Sequence, residues 1–184
     1  MSRLLLTIAL TCTGAHLCLP ADRQSDWAAW VGAGHSVVFM GSEDHRTGGM
    51  LSIQWEQEWG QLDYRSRPGV LVLEGYLNRT RSFGEGRSPA DTTNSYGLLA
   101  LARFYSGWRG SIRGFLELGW GAQYTERRTE DLDVRLNSSP VFGGGYEWRN
   151  GLMLGLRFLH VSNAGFGKRN QGQNQLWLMV GSRL

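Results

Sequence analysis

Three observations predict that this chain folds as an all-β protein, an eight-stranded antiparallel transmembrane β-barrel. An apolar leader opens the sequence and indicates export. After the leader, no apolar run reaches the length of about 18 residues that a transmembrane helix needs. The chain divides instead into about eight stretches of roughly ten residues, rich in aromatic and β-branched types and separated by clusters of Gly, Asn, Asp and Pro. That pattern is typical of outer-membrane strands.

Residues 1–21 are predicted to be a signal peptide, and 22–184 the barrel. The leader has a basic residue near its start, then an apolar run, then small and apolar residues up to Ala21, which is the order of a secretory signal. Both cysteines, Cys12 and Cys18, lie in this leader. We therefore expect a mature chain that is exported to an oxidising compartment but carries no disulfide.

The predicted strands are bounded by turn residues, and their connections alternate in length. Connections after the first, third, fifth and seventh strands are polar and mostly long, whereas those after the fourth and sixth are tight. The Asn150-Gly151 pair in the last tight turn suits the positive φ angles of a type I′ hairpin. Because outer-membrane barrels keep short turns in the periplasm and long loops outside, the alternation supports an even strand count. The strands are predicted at 27–40, 48–59, 69–78, 95–106, 110–122, 138–148, 152–162 and 174–183.

Alternation of side chains within these strands is mixed. In the fifth strand the apolar residues compete with Arg113, Glu117 and Gln123, whereas in the last strand Trp177 and Met179 share one face and the other face is also apolar. Two apolar faces are expected where the interior of a narrow barrel is packed. The eight tryptophans fall largely toward strand ends, where interfacial aromatic residues lie in such barrels. A soluble secreted β-sandwich is the alternative fold, and the leader and the loop rhythm disfavour it.

Charge gives little indication of partners. The formal net charge of +3 is too small to favour nucleic acid, and we expect no nucleic-acid partner. Lys168 is the only lysine, so arginine supplies the remaining positive charge. Arginine suits bidentate binding of phosphate and carboxylate, but a GC-rich genome would give the same bias. Neither a metal-ligand cluster nor a Gly-rich phosphate loop is present, and we expect no metal or nucleotide cofactor.

One segment carries candidate catalytic residues. His160 and Ser162 are two apart on the predicted seventh strand and therefore project from the same face. A serine becomes a good nucleophile when an adjacent imidazole accepts its proton, and the imidazole needs an orienting partner on its other nitrogen. Asn174 opens the last strand, which pairs antiparallel with the seventh, so it can lie beside His160. By itself, however, His-x-Ser on a strand more often has a structural or surface role.

The longer pattern is more informative. His160-x-Ser162-Asn163-Ala164-Gly165, followed by Asn-x-Gly-x and a polar residue that opens the final strand, resembles the active-site signature of the lipid A 3-O-deacylase family of outer-membrane serine esterases. The match is close over the last two strands and their loop, and elsewhere it is architectural. The resemblance implies that Ser162 is the nucleophile and His160 the general base, with the Asn163 side chain and the Gly165 backbone N–H as the oxyanion hole. Simple turn-forming roles for Asn163 and Gly165 stay open.

The resemblance departs from the family at the third triad position, where members carry Glu and this chain has Asn174. An amide oxygen can accept the imidazole N–H and fix the tautomer, but it brings no negative charge to stabilise an imidazolium. Gln173 is one residue out of phase with the required face, and Glu147 is predicted at the wrong end of the barrel. Two functions follow: an esterase that hydrolyses the 3-O-linked acyl chain of lipid A in the outer leaflet, or a non-catalytic or impaired barrel of the same family.

The resemblance also implies the partners and the location. Lipid A or lipopolysaccharide and outer-membrane lipid are the expected partners, and the bacterial outer membrane is the expected location. Lys168 and Arg169, in the loop after the seventh strand, are candidates for binding the lipid A phosphates, or they belong to a merely solvated loop. The sequence leaves open whether the chain forms a homodimer.

Overall fold

Antiparallel pairing between consecutive strands closes the chain into a barrel in the computed structural model, which describes residues 26–37, 44–59, 62, 69–83, 90–168 and 171–184. The predicted signal peptide lies outside these residues. The strands are β1 (Trp27–Ser36), β2 (Arg46–Glu58), β3 (Gly69–Ser82), β4 (Thr92–Tyr105), β5 (Ile112–Thr125), β6 (Leu136–Ser138), β7 (Val141–Trp148), β8 (Leu152–Val161) and β9 (Gln173–Arg183).

β6 and β7 are two halves of one barrel strand. Ala122 pairs with Ser138 on β6, and Gly119 pairs with Val141 on β7, so the register against β5 continues unchanged across the gap. The gap contains Pro140, which has no backbone N–H to donate to the sheet. Counted in this way the barrel has eight strands, and the predicted eight-stranded antiparallel fold is confirmed.

The first and last strands pair with each other and close the sheet. Val31 lies opposite Val180 in the register of β1 and β9, and β4 pairs with β5. Within the described strands no sheet edge is left open. The backbone N–H and C=O groups of each strand therefore find partners on the next strand, as a bilayer requires. None of the described residues belongs to a helix that is long and apolar enough to cross a membrane.

Tight turns and the chain terminus gather at one end of the barrel, as the loop rhythm predicted. Gly151, in the turn between β7 and β8, has a φ of +83°, and its carbonyl oxygen accepts the N–H of Arg183 near the C-terminus. The Leu184 N–H donates to the carbonyl oxygen of Trp27, where β1 begins. This end is here called the turn end, and the connections β1–β2, β3–β4, β5–β6 and β8–β9 lie at the opposite end, here called the loop end. The connection between β2 and β3 is ten residues long and nevertheless lies at the turn end, which departs from the short-turn rule.

The outer face of the barrel is apolar. Large side chains alternate outward along each strand, and Leu98 and Leu116 expose 72% and 69% of their surface. Such a surface suits lipid and does not suit a soluble sandwich. Further exposed outward residues include Leu51, Ile53, Leu73, Leu118, Trp120, Phe142, Leu156 and Leu178.

Large aromatic side chains lie over glycines inside the barrel. A Cβ added at Gly181 would lie 2.4 Å from the Trp30 ring, and one added at Gly34 would lie 2.3 Å from the Trp177 ring. Trp30 and Trp177 are buried, at 3% and 1% exposure, so the expectation that tryptophans lie at the membrane interfaces is wrong for these two. They fill space that a narrow barrel would otherwise leave empty.

The interior also contains a network of buried ion pairs, beside a cluster of buried hydrophobic side chains. Glu117 lies between two arginines, with Oε2 2.6 Å from Arg103 Nη2 and Oε1 2.7 Å from Arg157 Nη2. Buried charges are tolerated when each has a partner. This network explains the mixed alternation of β5, whose polar residues point inward. The network comprises Arg103, Arg113, Arg157 and Arg183 with Glu56, Glu74, Glu117 and Glu147.

Candidate active site

The predicted catalytic pair lies on the outer, lipid-facing side of the barrel. Along β8 the residues alternate between buried and exposed, and His160 continues the outward series that includes Leu156 and Phe158. Ser162 is the next outward position beyond the strand. The site therefore opens toward the membrane near the loop end and not into the packed interior.

Asn174 holds the His160 imidazole. The two residues are register partners on β9 and β8, and Asn174 Oδ1 lies 2.7 Å from His160 Nδ1. Because an amide oxygen only accepts hydrogen bonds, this contact places the proton on Nδ1. Nε2 then carries the lone pair, which is the tautomer a general base needs. Asn174 is fully buried, so the contact is shielded from water.

Gly172 packs against the other edge of the same ring. It has a φ of +74°, and a Cβ added there would lie 2.7 Å from His160 Cε1 and 3.4 Å from Nε2. Glycine is therefore required at position 172 for two reasons: its backbone has a positive φ, and the His160 imidazole leaves no room for a Cβ. The sequence pattern contained this glycine, but nothing in it assigned the residue a role.

Ser162 is held by the neighbouring strand. Its N–H donates to the Ser138 carbonyl oxygen at 3.0 Å, and its own carbonyl oxygen accepts the Ser138 N–H at 2.7 Å. The Ser162 hydroxyl and the His160 imidazole share no hydrogen bond here, although both belong to the described part of the chain. Catalytic hydrogen bonds of this kind are often loose before substrate binds.

A tight turn follows the serine. The Phe166 N–H donates to the Asn163 carbonyl oxygen at 3.0 Å, and the two central residues, Ala164 and Gly165, have φ values of 51° and 86°. Ala164 is the only residue other than glycine with a positive φ in the described part of the chain. Such a conformation costs free energy and persists where its surroundings hold it, often at functional sites.

The two predicted oxyanion donors both donate to protein atoms. Asn163 Nδ2 lies 3.0 Å from Asp133 Oδ1, and Asn163 Oδ1 accepts the Gly165 N–H at 2.9 Å. These partners fix the orientation of the amide, because a carboxylate accepts and an N–H donates. An ester oxygen would have to replace Asn163 Oδ1 as the acceptor for Gly165.

Asp133, in the loop between β5 and β6, organises the loop after Ser162, and sequence reasoning missed it. Besides accepting a hydrogen bond from Asn163 Nδ2, its carboxylate accepts one from the backbone N–H of Lys168 at 2.7 Å. A Cβ added at Gly167 would lie 1.8 Å from Asp133 Oδ1, so the loop closes tightly over the carboxylate. No local pattern could have indicated this contact, because the two residues lie in different hairpins.

Other predicted residues have clear positions or fall outside the structure. Lys168 is exposed, whereas Arg169 lies outside the described residues. Gln173 points inward and donates to Thr129 Oγ1 at 2.9 Å, and Glu147 lies at the turn end with the interior arginines, as expected for both. No group of three or more His, Cys, Asp or Glu side chains that could hold a metal occurs in the described part of the chain.

Comparison with known proteins gives concordant matches. The sequence model of the family described as lipid A 3-O-deacylase (PagL) matches residues 31–183. A relative named lipid A deacylase PagL, from Pseudomonas aeruginosa, is 29% identical over 172 residues, which cover 91% of each chain. The crystal structure of the outer membrane enzyme PagL covers 84% of this chain and 99% of its own, with a TM-score of 0.66 and 19% identity. The last likeness concerns the fold alone.

Proposed function

Because this chain belongs to the lipid A 3-O-deacylase family, we propose that it is an outer-membrane serine esterase that hydrolyses the 3-O-linked acyl chain of lipid A in the outer leaflet. The observation that carries the proposal is the contact between His160 Nδ1 and Asn174 Oδ1, two outward positions beside Ser162 on the lipid-facing wall. A hydrolase of membrane lipid needs its nucleophile on that wall, at the depth where acyl chains meet sugar.

The proposed reaction follows the two steps of acyl transfer. His160 Nε2 accepts the Ser162 hydroxyl proton while Oγ attacks the ester carbonyl carbon, and the tetrahedral intermediate collapses as the imidazolium protonates the departing sugar oxygen. Water, deprotonated by the same imidazole, then attacks the acyl-serine and releases the fatty acid. During both steps Asn163 Nδ2 and the Gly165 N–H are the candidate donors to the oxyanion.

Asn174 performs the orienting part of the triad role. Its oxygen fixes the Nδ1–H tautomer, but a neutral amide does not stabilise the imidazolium as a carboxylate does. Aspartate has the same length as Asn, so Asn174→Asp adds the charge at the observed distance. Glutamate is one methylene longer and, at a fully buried position 2.7 Å from the ring, displaces it. We therefore expect Asn174→Asp to accelerate deacylation and to exceed Asn174→Glu.

Mass spectrometry of lipid A from cells that express the protein tests the proposal. The wild type should release one 3-O-linked acyl chain, and Ser162→Ala should abolish the release. Ser138→Ala is the matched control, because Ser138 is the register neighbour of Ser162 on the adjacent strand. If Ser162→Ala still deacylates lipid A, or if only Ser138→Ala stops the reaction, Ser162 is not the nucleophile.

A non-catalytic or impaired member of the family is the second candidate function. The observations that favour it are the amide in place of the acid and the engagement of both oxyanion donors within the loop. In that case the wild-type protein leaves lipid A intact while Asn174→Asp or Asn174→Glu cuts it. If folded wild type and both variants are all inactive, the esterase proposal is rejected.

A further inference from the structure

A curved apolar furrow crosses the outer face of the barrel from β5 to β1. Its volume is about 850 Å³. The furrow runs along two adjacent rows of residues that are register partners from strand to strand. It is deepest where the outward-pointing residues are small, at Ala122, Gly75 and Ala29. Larger side chains form its wall on the side of the loop end, among them Tyr96 and Leu77.

The space over Gly75 is open. The nearest atom to a Cβ added at this position is Leu98 Cδ2, at 3.7 Å, which is an ordinary contact distance. The glycine is therefore not required by a clash with the sheet. Its effect is to leave a gap of side-chain width in the lipid-facing wall of β3.

Two arginines lie directly above this gap. Arg79 and Arg81 are the next outward positions of β3 beyond Leu77, toward the loop end, and both are exposed. On β2 their register partners are Gly49 and Thr47, so no large side chain covers them from that direction.

Neither guanidinium forms a salt bridge with a described residue. In the row of register partners that runs from Arg79 through Asn94, the next residue is Glu126, two strands away from Arg79. Its carboxylate accepts hydrogen bonds from Asn94 Nδ2 at 2.9 Å and from the Tyr96 hydroxyl at 2.9 Å. It is therefore engaged by the intervening strand. The result is a pair of cations above an apolar furrow, at the end of the barrel where headgroups lie.

This arrangement is separate from the candidate active site. In the barrel order, β3 lies four strands from β8 in either direction when β6 and β7 are counted as one wall. The arginines therefore lie on the opposite side of the barrel from Ser162, although both are at the loop end. One lipid molecule cut at Ser162 would not reach Arg79 across the barrel.

We propose that Arg79, Arg81 and the furrow form a second, non-catalytic site for a phosphorylated, multiply acylated lipid of the outer leaflet, the chemistry of lipid A. A guanidinium pair suits bidentate contacts with a phosphate group. An acyl chain laid over Gly75 fills the furrow and buries apolar surface. Charge above and apolar space below match an anionic amphiphile, and the site would keep such a lipid on the barrel independently of turnover.

Native mass spectrometry of the detergent-solubilised mature chain, with lipid A added, tests the site. All proteins carry Ser162→Ala, so that lipid A is not consumed. Arg79→Gln/Arg81→Gln should lose one bound lipid A, with affinity at this site reduced roughly 30-fold. The reason is that each of the two arginines contributes about equally to the binding free energy of the anionic lipid. Gly75→Leu, which fills the furrow, should weaken the same binding event. The matched control is Arg127→Gln/Arg128→Gln, which removes the same charge from exposed positions in the β5–β6 loop.

The proposal is overturned if Arg79→Gln/Arg81→Gln binds as many lipids as its parent, or if the Arg127→Gln/Arg128→Gln control loses as much. Competition by inorganic phosphate at millimolar concentration, without any effect of Gly75→Leu, would also overturn it, because the site would then bind a free anion and not a lipid. Failure of the deacylase proposal would leave the test intact, since the readout is the lipid count and not activity.

Discussion

Substituting Gly172 tests whether the position of the His160 ring limits the reaction. In Gly172→Ala the new methyl lies 2.7 Å from His160 Cε1, whereas ordinary contact begins at 3.4 Å. The ring must then move by about 0.7 Å, and misplacements of about 1 Å cost on the order of 100-fold in rate. We expect deacylation to fall between about 10- and 100-fold. The positive φ of 74° adds a backbone cost of about 1–2 kcal/mol.

Gly110→Ala separates these two effects. Gly110 also has a positive φ, at +63°, but a Cβ there meets no atom within 4 Å, and its turn lies at the end of the barrel away from the site. Both variants should lose similar stability in heat-modifiability assays, and only Gly172→Ala should lose activity. The rate of fatty-acid release from lipid A in detergent micelles is the assay. Wild-type activity in a correctly folded Gly172→Ala protein would refute the argument that the ring must keep this position.

Three further predictions follow from other contacts. Asp133→Asn weakens the acceptor of Asn163 and should lower kcat by about 10- to 100-fold with little change in KM, since it acts on a transition-state donor; a change confined to KM would contradict this. Glu117→Gln leaves two buried arginines underpaired and should destabilise the barrel by about 3–5 kcal/mol in urea unfolding, and an unchanged midpoint would show that the network is not stabilising. Leu156→Arg puts a charge on the lipid-facing wall and should cost about 2–4 kcal/mol in a bilayer but much less in detergent; equal losses in both media would argue against lipid contact.

Local signals predicted the strands well because turns are local. Gly, Asn and Pro clusters bounded every strand to within a few residues, and the Asn150-Gly151 turn is where the sequence placed it. The predicted turn type is wrong, because only Gly151 and not Asn150 has a positive φ, whereas a type I′ turn needs both. The antiparallel pairing of the strands that carry His160 and Asn174 was also predictable, since consecutive strands of such a barrel pair with each other. The register that places the two residues opposite each other came from the structure. The alternation of side chains along β9 likewise excluded Gln173 as the partner of His160, and in the structure Gln173 does point inward.

Contacts between distant hairpins were not predictable. Asp133 reaches Asn163 only because the β5–β6 loop and the loop after β8 meet above the barrel, and sequence separation gives no indication of this. The inward positions of Trp30 and Trp177 depend on glycines that are their register partners on the neighbouring strand, Gly181 and Gly34, and residue type alone could not indicate this. The ionic interior appeared in the sequence only as broken alternation.

The packed interior has a consequence for kinetics. Ion pairs, aromatic rings and aliphatic side chains are packed inside the barrel, and His160 and Ser162 lie on its outer face. If these residues carry out the proposed reaction, substrate and products reach and leave them through the membrane leaflet. Encounter then takes place in two dimensions, by lateral diffusion within one leaflet. Under the proposed function, turnover should depend on the mole fraction of substrate in that leaflet, and diluting the substrate with an inert lipid should slow the reaction even when its bulk concentration is held constant.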